Sequence, residues 1–159
     1  MIKAILGCDI AFGIGKNGTL PWGRNSEDLK QFKQKTTNHI IVMGSKTWDD
    51  PNFPGPLPNR ENYVCTSSFG YNGAKILSGN IQDKIVELDY FSKKDIWIIG
   101  GNNIIQQCKD IIEEYHFTLF NKYYDCDVYL DFNILNYNMI SVEYSKTCDN
   151  SYVIYRRKD

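Results

Sequence analysis

The sequence predicts a three-layer α/β domain: a mostly parallel central sheet of about eight strands with helices on both faces, ending in an antiparallel hairpin. Three observations predict it. Short, near-continuous apolar runs such as IKAILGC and IWIIG suit strands covered on both sides. Two such runs end in glycine and pass straight into a helical segment, as IIVMG-SKTW and IWIIG-GNNI. The last third of the chain abandons that alternation for longer strand patterns around the turn-like KTCDNS.

Taken in order, Ile2–Cys8 is a first strand, and Ala11–Asn25 is a loop punctuated by Gly13, Gly15, Gly18, Pro21 and Gly23. A helix spans Ser26–Thr36, then come a strand over His39–Met43, a helical turn from Ser45 and the proline-rich stretch Pro51–Pro58. Strands at Asn62–Thr66 and Ala74–Leu77 precede a helix over Ile81–Phe91. Ile96–Ile99 is another buried-type strand, followed by Gly100-Gly101 and a helix running to about Glu114. Tyr115–Phe120, Met139–Ser145 and Tyr152–Arg157 complete the sheet. No repeat, linker or low-complexity tract divides the chain, so residues 1–159 are expected to form one domain.

The composition narrows the function classes. With 42% hydrophobic and 14% aromatic residues, a packed core is expected. A net charge of −1 supplies no basic field for nucleic acid and no polybasic membrane patch. No apolar run approaches the ~18 residues of a membrane span, and no signal-peptide pattern opens the chain, so a cytoplasmic protein is expected. The five cysteines include no CxxC pair, Cys8 and Cys65 sit in apolar runs, and the two histidines, His39 and His116, are far apart. No metal site is therefore expected.

Both strand–glycine–helix junctions are candidate phosphate seats, because helix N-termini present unpaired amides and glycine permits close backbone approach. Ser45, Lys46 and Thr47 add donors at the first junction. In a parallel sheet both would open at the carboxyl edge, where ligands bind. A GxGxxG fingerprint, a Walker loop and a GxSxG elbow are all missing, so nucleophilic catalysis has no evident agent. A candidate acid remains. At 100° per residue, with Asp28 set at zero, Phe32, Thr36 and Leu29 fall on one inward arc, and Glu27 falls on the opposite flank facing water. Beside apolar neighbours the Asp28 carboxyl would be desolvated and suited to hold a cationic or amidine-like group. On periodicity alone, a simple helix-dipole role for Asp28, or a rotated helix, stays open.

Five ordered segments, GIGKNGTLPW, SEDLKQF, IVMGSKTW, PLPNREN and IIGGNNI, together resemble the dihydrofolate reductase family over nearly the whole chain. The resemblance implies NADPH-dependent reduction of dihydrofolate, binding of antifolate inhibitors, and a cytoplasmic monomer. It places Asp28 as the single active-site acid, with Trp22 and Thr118 holding it and an ordered water, and Leu20 in a mobile lid. Ile5 and Ile99 would offer backbone carbonyls to the pterin, Leu29, Phe32 and Leu57 would wall its rings, and Arg60 would grip the folate carboxylate. For the cofactor it implies Ile14, Gly15 and Gly18 over the nicotinamide, and Gly44, Ser45, Lys46, Thr47, Gly100, Gly101, Asn102, Asn103 and Ile104 at the phosphates. Lys46, Thr66 and Ser67 would read the adenosine 2′-phosphate, and Asp127 could contact the lid. Two departures stand out: Ser45 where an arginine is common, and Ile105 where a tyrosine is common. A related fold reduces a pyrimidine-type riboflavin precursor, but Asp28, Phe32 and Arg60 suit a pterin with a glutamate tail.

Overall fold

The computed structural model describes residues 1–159. Its strands are β1 (Ile2–Cys8), β2 (Gly13–Gly15), β3 (Ile40–Gly44), β4 (Glu61–Cys65), β5 (Lys75–Leu77), β6 (Ile96–Gly100), β7 (Glu114–Phe120), β8 (Val128–Tyr129), β9 (Tyr137–Tyr144) and β10 (Asn150–Arg157). Its helices are α1 (Ser26–Thr36), α2 (Ser45–Trp48), α3 (Ile81–Phe91) and α4 (Asn102–Cys108). Eight strands form one sheet in the order β5-β4-β3-β6-β1-β7-β10-β9, and β2 pairs with β8 separately. Every neighbouring pair in the large sheet is parallel except the two made by β10.

Right-handed crossovers decide where the helices go. The chain leaves β1 through α1 toward β3 on one side of the sheet order, and leaves β6 through α4 toward β7 on the other. The two helices therefore cover opposite faces, and the C-terminal ends of β1 and β6 open at the switch point between them. Strand alternation sorts the core the same way. Ile40, Val42, Tyr63, Cys65, Ile96 and Ile98 join Ile85 of α3 and Ile104, Ile105 and Cys108 of α4 in a 20-residue apolar cluster. The alternate residues Ile41, Met43, Val64 and Trp97 form a cluster of four on the other face. On β7, Tyr115 and Phe117 belong to the large cluster, which leaves Glu114, His116 and Thr118 on the face of α1.

The expected helix running to about Glu114 is corrected: α4 stops at Cys108. The amides of Ile111 and Ile112 both turn back to Cys108 O, Ile112 is fully buried, and Glu113 N already pairs with Ile2 O. Pairing with β1 outcompetes another helical turn. The closing hairpin is longer than expected, beginning at Tyr137 and Asn150. The β2–β8 ladder was not legible in its few residues, because each strand is stabilised by the other across the fold.

Candidate active site

Asn25 caps α1 by accepting from Asp28 N at 3.1 Å, which fixes the first turn. From that turn Asp28 reaches the sheet, where Thr118 of β7 donates its hydroxyl to Asp28 Oδ1. Burial pushes the Asp28 carboxyl above the ordinary carboxylate range, while the Thr118 hydroxyl and the Lys35 ammonium pull it back. The inward arc is realised by Asp28, Phe32 and the fully buried Thr36, whose hydroxyl donates to Phe32 O at 2.9 Å. Leu29 does not join it: 45% exposed, it stands at the rim.

Glu27 is a second correction. Expected to face water, it accepts from Ser145 Oγ at 2.8 Å, Thr147 Oγ1 at 2.5 Å and the Tyr152 hydroxyl at 3.3 Å. The Thr147 and Ser145 hydroxyls hold its carboxyl below the usual range. The helix start is thus tied to the β9–β10 turn by the acid that helical periodicity assigned to solvent.

The structure brings Ile5, Leu57 and Ile99 together around the small apolar cluster under this face. Arg60 closes the far end of α1: its Nη1 donates to Thr36 Oγ1 at 3.1 Å and its Nε to Pro58 O at 3.0 Å, with the guanidinium 6.0 Å from the Phe32 ring centroid. Trp22 stacks on Phe120 at 4.7 Å and meets Tyr124 edge-on at 5.8 Å. The acid is held by Thr118, with no direct Trp22 hydrogen bond to it.

The loop before α1 is held at both its tip and its base. Asn17 and Gly18, both at positive φ, make the two-residue turn that closes Lys16 on Thr19. Asp127 accepts from Asn17 N at 2.8 Å and donates its own amide to Gly15 O at 3.0 Å, so the loop tip rests on the β8 segment. Ile14 packs against the large cluster and Leu20 is 58% exposed. Asp9, fully buried and overlooked by sequence reasoning, anchors the loop base. It accepts from Ala11 N, Gly13 N and Tyr124 N at 2.8–3.0 Å. Burial alone would raise this carboxyl, but those three amides hold it below the usual range.

Across the carboxyl edge, the junctions after β3 and β6 meet. A Cβ on Gly44 would lie 3.0 Å from Ile104 Cγ1, and one on Gly100 would lie 3.8 Å from Thr47 Oγ1. The Gly100–Gly101 peptide is cis. A Cβ on Gly101 would meet nothing within 4 Å, so packing inside the protein does not require glycine there. Asn102 Oδ1 beside it is a buried acceptor with no protein partner. Both observations fit a polar ligand approaching this backbone. Asn103 is exposed, as are Lys46 and Ser67 at the ends of β3 and β4, and Thr66 Oγ1 accepts from Ser68 N at 3.1 Å. No group of three or more His, Cys, Asp or Glu could hold a metal ion. No helix is long and apolar enough to cross a membrane.

A mostly parallel sheet whose carboxyl edge combines glycine-lined junctions with a half-buried acid is the arrangement in which α/β proteins bind nucleotides and other small molecules. The family model described as Dihydrofolate reductase matches residues 1–157, and the chain belongs to that family. It is 30% identical over 157 residues to a dihydrofolate reductase of Ureaplasma parvum, covering 98% of this chain and 96% of that protein. It is 33% identical over 134 residues to a bifunctional dihydrofolate reductase-thymidylate synthase of Paramecium tetraurelia, covering 83% of this chain but 28% of that protein. Other curated relatives it matches are likewise spanned over only a quarter to about half of their length. A dihydrofolate reductase from Enterococcus faecalis, solved in complex with NADP(H) and RAB-propyl, shares the fold. The TM-score is 0.85 at 24% identity, over 100% of this chain and 97% of that one.

Proposed function

We propose that this chain is an NADPH-dependent dihydrofolate reductase acting as one cytoplasmic, monomeric domain over residues 1–159. The observation that carries the reading is the half-buried Asp28, held by Thr118 at the same sheet edge as the Gly100–Gly101 pair. An acid in this position pairs with the 2-amino group and ring N3 of a pterin, which orients the ring. Ile5 and Ile99 offer backbone carbonyls from neighbouring strand ends, while Phe32, Leu57 and the rim residue Leu29 enclose the rings. Arg60, with Nε and Nη1 already fixed, keeps Nη2 for the folate α-carboxylate.

Ile14, Gly15 and Gly18 cover the nicotinamide end of the cofactor. Gly44 through Thr47 and Gly100 through Ile104 hold its phosphates, with Lys46, Thr66 and Ser67 at the adenosine 2′-phosphate. NADPH, when bound, supplies the hydride received at C6 of the pterin. The balancing proton reaches N5 through water, because Asp28 serves the pyrimidine end of the ring, and closure of the Leu20 lid keeps bulk solvent out. Antifolates that carry a diaminopyrimidine group would be held by the same carboxylate.

Loss of NADPH absorbance in the presence of dihydrofolate tests the reading. Wild-type protein turns over, and Asp28→Asn loses most activity at neutral pH while still folding. A folded wild type that is inert, or an Asn variant that is fully active, would overturn it.

A further inference from the structure

Two turns along α1 from Asp28, on the same side of the helix, a second charged group points inward and has no part in the proposed reaction. Lys35 Nζ lies 2.9 Å from His116 Nδ1, and His116 Nε2 lies 2.9 Å from Glu114 Oε1. Glu114 is already matched: Arg156 Nε and Nη2 reach its Oε2 at 2.8 and 2.5 Å, and Lys3 Nζ stands 3.8 Å from Oε1. An ammonium can only donate, so His116 Nδ1 accepts and Nε2 carries the ring proton toward Glu114. The imidazole is a neutral bracket that fixes the lysine without neutralising it.

His116 and Thr118 are alternate residues of β7 and leave the strand on one face. Thr118 holds Asp28 and His116 holds Lys35, so two rungs join α1 to β7, about 7 Å apart by the rise of two strand residues. Helix side chains lean toward the N-terminus, which carries Nζ back toward the Asp28 rung. The groups facing Lys35 are Asp28 on its own helix, His116 and Glu114 on β7, Lys3 on β1 and Glu143 on β9. Since Arg156 and Lys3 already serve Glu114, the half-buried Lys35 ammonium is left to Asp28 on its own helix and Glu143 on β9.

We propose that Lys35, bracketed by neutral His116, is a positioning residue whose charge sets the proton affinity of Asp28. The inference rests on the reading of Asp28 as the active-site acid. Burial and the neighbouring Glu27 charge lift that carboxyl, and the Thr118 hydroxyl and the Lys35 charge limit how far.

The test is the titration of the Asp28 carboxyl carbon by ¹³C NMR in substrate-free protein. Taking the separation of the charges as between the ~7 Å spacing of the strand rungs and the ~10 Å rise of seven helix residues, an effective dielectric of about 20 corresponds to about one to two pKa units. Lys35→Met therefore moves the Asp28 midpoint up by about one to two units, Lys35→Arg keeps it near the wild-type value, and the pH profile of turnover moves in the same direction. An unchanged midpoint in folded Lys35→Met overturns the proposal. Should that variant fail to fold, the reciprocal measurement decides: the Lys35 Nζ midpoint falls by the same amount in Asp28→Asn, since coupling is mutual. No fall overturns it. Both readouts are titrations, so their failure leaves the reductase reading standing. A shifted midpoint in a protein inert toward dihydrofolate removes that reading alone.

Discussion

His116 makes the acid stability of this protein calculable. The ring is buried, and burial, with the Lys35 charge behind it, pushes its pKa down to about 4 from an ordinary 6.5. A histidine depressed in the folded state binds its proton first in the unfolded chain. Its contribution is fully present above about pH 6.5 and is lost as the pH falls toward 4, with no further change below that. With ~1.4 kcal/mol per pKa unit, the loss is about 2 kcal/mol at pH 5 and about 3 kcal/mol at pH 4. The perturbation is His116→Gln, which removes the titration and keeps an amide donor for Glu114. The assay is urea unfolding at pH 7 and pH 5, followed by tryptophan fluorescence. Carboxylates that titrate in this range do so in both proteins, so the comparison isolates the histidine. The wild type should lose about 2 kcal/mol more than the variant between the two pH values. Equal losses would refute the neutral bracket. A larger loss in the variant would mean that His116 is instead protonated against Glu114 in the fold.

Other outcomes follow from single contacts. Asp9→Asn turns one acceptor oxygen into a donor facing the Ala11 and Gly13 amides or the Tyr124 amide, and should cost about 1–3 kcal/mol in thermal unfolding. It should also weaken NADPH binding by loosening the lid base; a variant that unfolds with the wild type would show that the lid is anchored elsewhere. Glu27→Ala removes the acceptor for Ser145, Thr147 and Tyr152, so amide exchange should quicken around Thr147 and Cys148 while the central strands keep their protection. Unchanged exchange there would mean the turn holds itself.

The sheet was legible in the sequence because burial on both faces writes itself as local apolar runs, and the order of strands and helices then restricts the topology. The arc of Asp28, Phe32 and Thr36 was legible for a related reason, since helical periodicity is local. Side-chain partners were not. Glu27 looked solvent-facing because the hydroxyls that receive it lie about 120 positions away on the closing hairpin. Lys35 sits beside Asp28 on the same wheel and could have been noticed, but what makes it inward is His116, 81 positions on. Asp9 binds amides in its own turn and one 115 positions away, and a single acid after a strand carries no pattern that announces this.

The unequal division of the core has a mechanical consequence. The face under α3 and α4 buries 20 apolar residues, whereas the face under α1 buries four and fills the rest with hydrogen-bonded charge. Polar networks lose their grip together once one member detaches, whereas a large apolar layer gives way only in global unfolding. The layer carrying Asp28 is therefore the one able to breathe, mounted on a backing that does not. Ligands that clamp α1 to the sheet should raise the melting temperature by closing that layer, and substitutions beneath α3 should cost stability while leaving affinity intact.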